Sequence, residues 1–218
     1  MLSRMTASSW ELDARWLETL HRLVGRAAHE LKGALNGVSV NQEVIRSRSE
    51  NPNATATAVR SFAVAAAGQL DVVISLTNAL LGLTRPAREP VDVGLEAGRI
   101  AILLGAVARS DGKQLTVDDA AGAGLSGLGV TSAPGSAVRL SLCECMLAAV
   151  DASTDVRCIA VAGSPTPTVR IDNADGETTT LDAALLVAAE DAGVHIHVSG
   201  SAISISFPPP FGGMTERE

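Results

Sequence analysis

The sequence predicts an α+β fold: an N-terminal antiparallel helical hairpin, paired into a four-helix bundle in a dimer, followed by a two-layer α/β sandwich. Three observations carry this. Apolar residues recur at steps of four and three over roughly the first 85 positions, the spacing of one helical face. A proline-bounded stretch, Arg85-Pro86-Ala87-Arg88-Glu89-Pro90, then ends the pattern. Beyond it, alternating and helical spacings intermix, as sheets covered by helices require. The boundaries that follow are 1–87 for the hairpin and 88–218 for the α/β domain.

Ser8 or Ser9 can cap the first helix, with Glu11 or Asp13 in its first turn. Leu17, Val24, Ala28, Leu31, Leu35, Val38 and Ile45 then form an a/d seam, with His21 and Gln42 in its gaps. The helix runs to position 49, about 60 Å at 1.5 Å per residue. Asn51-Pro52-Asn53 breaks it. A second helix over 55–84 shows an apolar face of Val59, Phe62, Ala66, Leu70, Val73, Leu76, Leu80 and Leu83. Two helices alone do not bury such a seam, so a second copy is expected to complete a four-helix bundle.

In the remainder, 91–94 reads as a short strand, 95–109 as a helix and 114–117 as a strand. Residues 120–135 are rich in glycine and alanine and read as loop. Residues 136–152 are helical, with Ser136 as a cap. Strands are expected at 156–162 and 167–172, a helix at 181–191, and strands at 194–199 and 202–207. Pro208-Pro209-Pro210 ends the pattern, with a loose tail beyond.

Composition narrows the function. Aromatics are only 2% of the chain, so the core is built of Ala, Val, Leu and Ile. A net charge of -7 argues against a nucleic-acid surface. No uninterrupted apolar run reaches ~18 residues, and Met1 to Trp10 lacks the apolar core of a signal peptide, so no membrane role is expected. Cys143, Cys145 and Cys158 form no CxxC pair and read as reduced, buried thiols of a cytoplasmic protein, with no metal site.

His29 follows a seam residue by one position and so points about 100° off the apolar stripe. Its helical neighbours are Arg22, Gly25, Arg26, Lys32, Gly33 and Asn36. An imidazole among cations suits a phosphoryl acceptor. Each glycine inside a helix costs about 1 kcal/mol against alanine. Gly25, Gly33 and Gly37 are therefore expected to keep a surface clear for a partner. The plain alternative is a solvated histidine in a glycine-rich chain.

His29-Glu30-Leu31-Lys32 resembles the H-box of sensor histidine kinases, and His29 with Leu31, Lys32 and Gly33 is similar to the signature of histidine phosphotransfer domains. The resemblance extends to a helical hairpin joined to an ATP-binding-like sandwich. The kinase pattern places a threonine or asparagine, then proline, where this chain has Gly33 and Ala34. Since that polar residue supports receiver dephosphorylation in the kinases, its loss points to transfer. The nucleotide elements are eroded. Leu147-Ala148-Ala149-Val150-Asp151-Ala152 puts Ala148 where the family has a magnesium-binding asparagine, and alanine offers no oxygen. Asp172-Asn173-Ala174-Asp175-Gly176 resembles the adenine-reading turn but lacks its first glycine, and reads more simply as a strand-ending turn. No phosphate-wrapping glycine loop lies between Gly176 and Gly193. Gly122, Gly124, Gly127 and Gly129 precede the wrong helix for one.

The resemblance implies a phosphorelay protein. His29 would accept and donate the phosphoryl group, with Glu30 and Lys32 assisting. Arg22, Gly25, Arg26, Gly33 and Asn36 would dock the receiver domain of a response regulator. No cofactor or ATP would be bound, and magnesium would arrive with the receiver. The competing readings are a divergent ATP-dependent histidine kinase and a non-catalytic dimeric signalling scaffold. Two smaller features carry ordinary explanations: His195 and His197 share one face of a strand, and Asp118-Asp119 end another.

Overall fold

A computed structural model describes residues 2–51, 55–118, 124–161, 164 and 166–210. Part of the Asn51-Pro52-Asn53 break, Asp119, Gly122 and the tail beyond Pro210 lie outside the described residues.

Helix α1 spans Leu2–Ser49 and α2 spans Ala56–Thr84. The first helix starts earlier than its serine caps suggest, because no glycine or proline lies between Leu2 and Trp10 to stop it. The stripe that the chain itself packs is a second one. The apolar residues of α1 that are buried, among those described, are Leu12, Trp16, Leu20, Leu23, Ala27 and Ala34, a stripe one position away from the expected one, with Thr19 buried beside it. Leu17, Ala28 and Leu35 of the expected seam are exposed, and Val24 and Leu31 are half-buried. Helix α1 therefore carries two adjacent apolar stripes, of which the chain itself uses one. On α2, Leu76, Ala79 and Leu83 are buried while Leu70, Ile74 and Leu81 stand outward at steps of four and seven. Between Val59 and Thr84, α2 is long and apolar enough by length and composition to cross a membrane, which an inspection for unbroken apolar runs does not detect.

Residues 85–90 lead into β1 (Val91–Asp92) and α3 (Val93–Ser110). The strand is shorter than expected because the Asp92 carboxylate accepts from the Leu95 N–H at 2.9 Å and starts the helix at once. Strand β2 (Gln114–Asp118) follows. The expected loop contains a 3₁₀ turn, Gly124–Leu128, and β3 (Val130–Thr131), which pairs antiparallel with β1. Helix α4 (Gly135–Ala152) is preceded by Pro134 as the capping position, with no side-chain bond, so Ser136 lies inside it. Lys113 closes its far end by donating to the carbonyls of Val150 and Asp151. Then come β4 (Asp155–Ala160), β5 (Thr168–Asn173), α5 (Ala183–Asp191), β6 (His195–Ser199) and β7 (Ala202–Ser206).

Five strands form one sheet in the order β2-β4-β5-β7-β6, parallel between β2 and β4 and antiparallel elsewhere. Its register lines up Val117, Cys158, Ile171, Ile203 and Val198 in one row. Cys158, Ile171 and Ile203 are buried under the helices, while the alternate residues Arg157 and Arg170 face out. This one-sided burial makes a two-layer sandwich, so the α+β class expected from sequence describes the molecule. One continuous hydrophobic cluster runs from Leu12 of α1 through α3 and α4 to Phe207. The hairpin is thus packed onto the α/β half through its lower end.

Candidate functional site

His29 lies exposed on α1, two positions from buried Ala27 and therefore about 160° round the helix from the packed face. Its ring makes no hydrogen bond or ion pair among the described residues. Lys32 and Asn36 are also exposed, and Glu30 is half-buried. Space around the histidine is open: a Cβ added at Gly25 or at Gly33 would meet nothing within 4 Å. Gly37 is different. A Cβ there would come within 3.3 Å of the Gln69 side chain, so it serves the close approach of α2. Of three helix glycines that look alike in sequence, two clear a surface and one packs the hairpin.

Arg22 and Arg26, grouped with His29 by spacing, are committed elsewhere. Arg22 pairs with Glu144 of α4, whose carboxylate also accepts from the Thr19 hydroxyl at 2.5 Å. The hydrogen bond to Glu144 raises the Arg22 guanidinium above its ordinary value. One turn on, Arg26 reaches Asp151 at 3.4 Å. These pairs bridge α1 and α4 over a cleft of about 440 Å³ bordered by His21, Gly25, Leu147 and Ala148. The face of α4 bearing Ala148 therefore looks onto α1. Spacing along one helix could not reveal this, because the partners lie more than a hundred residues away.

A second contact went unread in the sequence. Arg139 of α4 and Glu96 of α3 are both almost fully buried and pair at 2.8 Å. Arg139 also donates to the carbonyls of Gly82, Leu83 and Arg85 at the end of α2, and its guanidinium lies 5.9 Å from the Trp16 ring centre. One arginine thus joins both hairpin helices to two helices of the α/β half. It satisfies helix-end carbonyls that would otherwise be buried without donors. The only signal in sequence is a charged residue at a core position of each helix.

The remaining candidates have local partners. Asp172 pairs with Arg170 at 2.7 Å. Buried Asn173 donates to the Glu177 carbonyl and to Thr179 Oγ1. Asp175 accepts from the Thr154 N–H and the Ser153 hydroxyl, bonds that pull its carboxyl down to about 2. Gly176 turns the chain with a φ of +79°. The strand-ending turn accounts for this segment. The ring of His195 is held by Glu190 at 2.9 Å. Burial raises the thiols of Cys143 and Cys145 well above their ordinary value and pushes Cys158 up to about 12, which makes them poor nucleophiles. Among the described residues no group of three or more His, Cys, Asp or Glu is placed to hold a metal.

No protein-family model matches the chain, and no curated protein does. Among solved structures it is similar to the Acinetobacter baumannii histidine kinase AdeS, at 12% identity over 83% of this chain and 97% of that one. The TM-score of 0.39 leaves function to be argued from this chain's own residues.

Proposed function

We propose that this chain is a dimeric histidine phosphotransfer protein that passes a phosphoryl group between aspartates of receiver domains through His29. The observation that carries the reading is an exposed, uncommitted imidazole between two open glycine positions on a long helix. A bulky phosphorylated partner needs that access, because in-line transfer demands close approach of the reacting atoms.

In the forward step a lone pair on a neutral ring nitrogen of His29 attacks the phosphorus of an aspartyl phosphate. The P–N bond forms as the P–O bond breaks, and the aspartate leaves as a carboxylate. The proton on the other ring nitrogen stays there or passes to Glu30. Lys32, one turn away, offsets charge on the phosphoryl oxygens. The reverse step delivers the group to a second receiver. Magnesium arrives with the receiver. Arg22 and Arg26 act at one remove, holding α1 against α4, while Gly25, Gly33 and Asn36 form the docking surface.

The second apolar stripe of each hairpin helix supports the dimer. Leu17 and Leu35 on α1, with Leu70, Ile74 and Leu81 on α2, supply faces that a second hairpin would cover in a four-helix bundle.

The test is label transfer. The purified protein is incubated with radiolabelled phosphorylated receiver domains and, separately, with labelled ATP. Label should arrive from a receiver, not from ATP, and should vanish in His29→Ala with the fold retained by circular dichroism. Label from ATP would make the chain a kinase, and none from either source would favour a scaffold.

A further inference from the structure

We propose that the recess where the linker meets α3 is a binding site for a small phosphate-class dianion, separate from the His29 surface. The recess has a volume of about 330 Å³, within the range of small-ligand sites. Four arginines border it: Arg85 and Arg88 from the linker, Arg99 from α3 and Arg139 from α4. Two carboxylates, Asp92 and Glu96, stand against them. The formal balance is 4 − 2 = +2, in a chain whose net charge is -7.

Neither carboxylate pairs with a linker arginine among the described residues. Glu96 uses both oxygens on Arg139 and Arg99, at 2.8 and 2.7 Å. Asp92 spends an oxygen on the first turn of α3. Arg85 and Arg88 have no ion pair or side-chain hydrogen bond among the described residues. Guanidinium groups recognise phosphate oxygens through paired N–H donors, so two uncommitted forks favour a dianion.

The linker backbone is also held in place. Arg139 binds the carbonyls of Leu83 and Arg85. Ala87 sits in a gap left by the missing side chain of Gly135, where a Cβ would collide with the Ala87 Cβ. Val91 is paired to Thr131. Gly82 is a glycine for the same kind of reason, since a Cβ there would overlap the Arg99 guanidinium. Arg85 and Arg88 thus stand on either side of a fixed residue, which reduces the ordering cost of binding.

The probe is inorganic phosphate at mildly alkaline pH, where it is the dianion, titrated into the full chain by calorimetry with tryptophan emission followed in parallel. Trp16 lies over Arg139, so occupancy reaches one of only two tryptophans. Saturable binding with a Kd on the order of 1 mM or tighter is expected. It should weaken at least about tenfold in Arg85→Ala/Arg88→Ala, which changes exposed side chains only, and stay unchanged in His29→Ala. Absence of saturable binding, or equal binding by the double variant, would overturn the site. Loss of binding in His29→Ala would overturn its separation from the transfer surface.

Discussion

The two halves of this molecule use apolar residues in opposite ways. In α3, twelve of eighteen residues are buried, because sheet, α4 and hairpin enclose it on most sides. Helix α2 has no lower appetite for burial, yet only 11% of its most apolar window is covered within the chain. The α/β half and the lower hairpin close one shared core, while the upper hairpin leaves Leu35, Val40, Val64, Leu70 and Ile74 outward. A helix that is apolar on a face its own chain does not cover is built for another surface. The same contrast separates the ion pairs. Arg139–Glu96 is buried at the junction, and Arg22–Glu144 and Arg26–Asp151 lie at the edge of an open cleft.

The sharpest way to break this comparison is to charge the outward stripe. Leu70→Glu with Ile74→Glu should convert a dimer into a monomer at micromolar concentration, read by light scattering, while the α/β half keeps its circular dichroism. A wild-type monomer would mean the stripe has another occupant. The next largest effect is expected at the junction. Arg139→Ala leaves Glu96 buried without its main partner and strips donors from the end of α2. Loss of one member of a buried pair costs about 3–5 kcal/mol. Arg26→Ala, at a pair whose members are 45% and 60% exposed, should cost below about 1 kcal/mol. Denaturant melts of the two variants give the ratio directly, and equal losses would remove the distinction between junction and edge.

How much of this was legible in the sequence follows from range. The two long helices, the proline-bounded linker and the alternating strands were readable because each rests on local periodicity. Which stripe of α1 the chain itself buries was not legible, since Leu12-Trp16-Leu20-Leu23 and Leu17-Val24-Ala28-Leu31 both satisfy a helical period. Only tertiary packing chooses between them. His29 and its glycines were legible as a group on one helix. The commitment of Arg22 and Arg26 to α4 was not, because residues 22 and 144 are 122 positions apart and meet only in the folded chain. Glu96 and Arg139 each stand as a charge in an apolar helix, and their meaning is pairwise.

Smaller effects separate packing from docking among the glycines. Gly25→Ala and Gly33→Ala meet open space, so each should raise stability by about 1 kcal/mol through helix propensity. Each should also slow label transfer to His29. Gly37→Ala crowds Gln69 and should gain less. Stabilisation at Gly33 with undiminished transfer would mean the glycine clears no docking surface.

The smallest effect lies wholly inside the α/β half, and its confinement there is the point. Asp175 ties the turn after β5 to the turn after α4 through Ser153 and Thr154. Its carboxyl is held at about 2, against about 3.9 for an unperturbed aspartate. A depressed carboxyl stabilises the fold fully above the unfolded value and loses that contribution as pH falls through the folded one. The loss therefore falls between about pH 4 and pH 2. Carboxyl chemical shifts should show Asp175 titrating near 2, and Ser153→Ala should move it part of the way up, since the Thr154 N–H remains. An ordinary titration near 4 would show the two turns are not tied. Because Asp175 touches neither the hairpin nor α1, Ser153→Ala should leave phosphoryl transfer at His29 unchanged. A change there would mean the two halves are coupled more tightly than the contacts at α4 and the Arg139 junction convey.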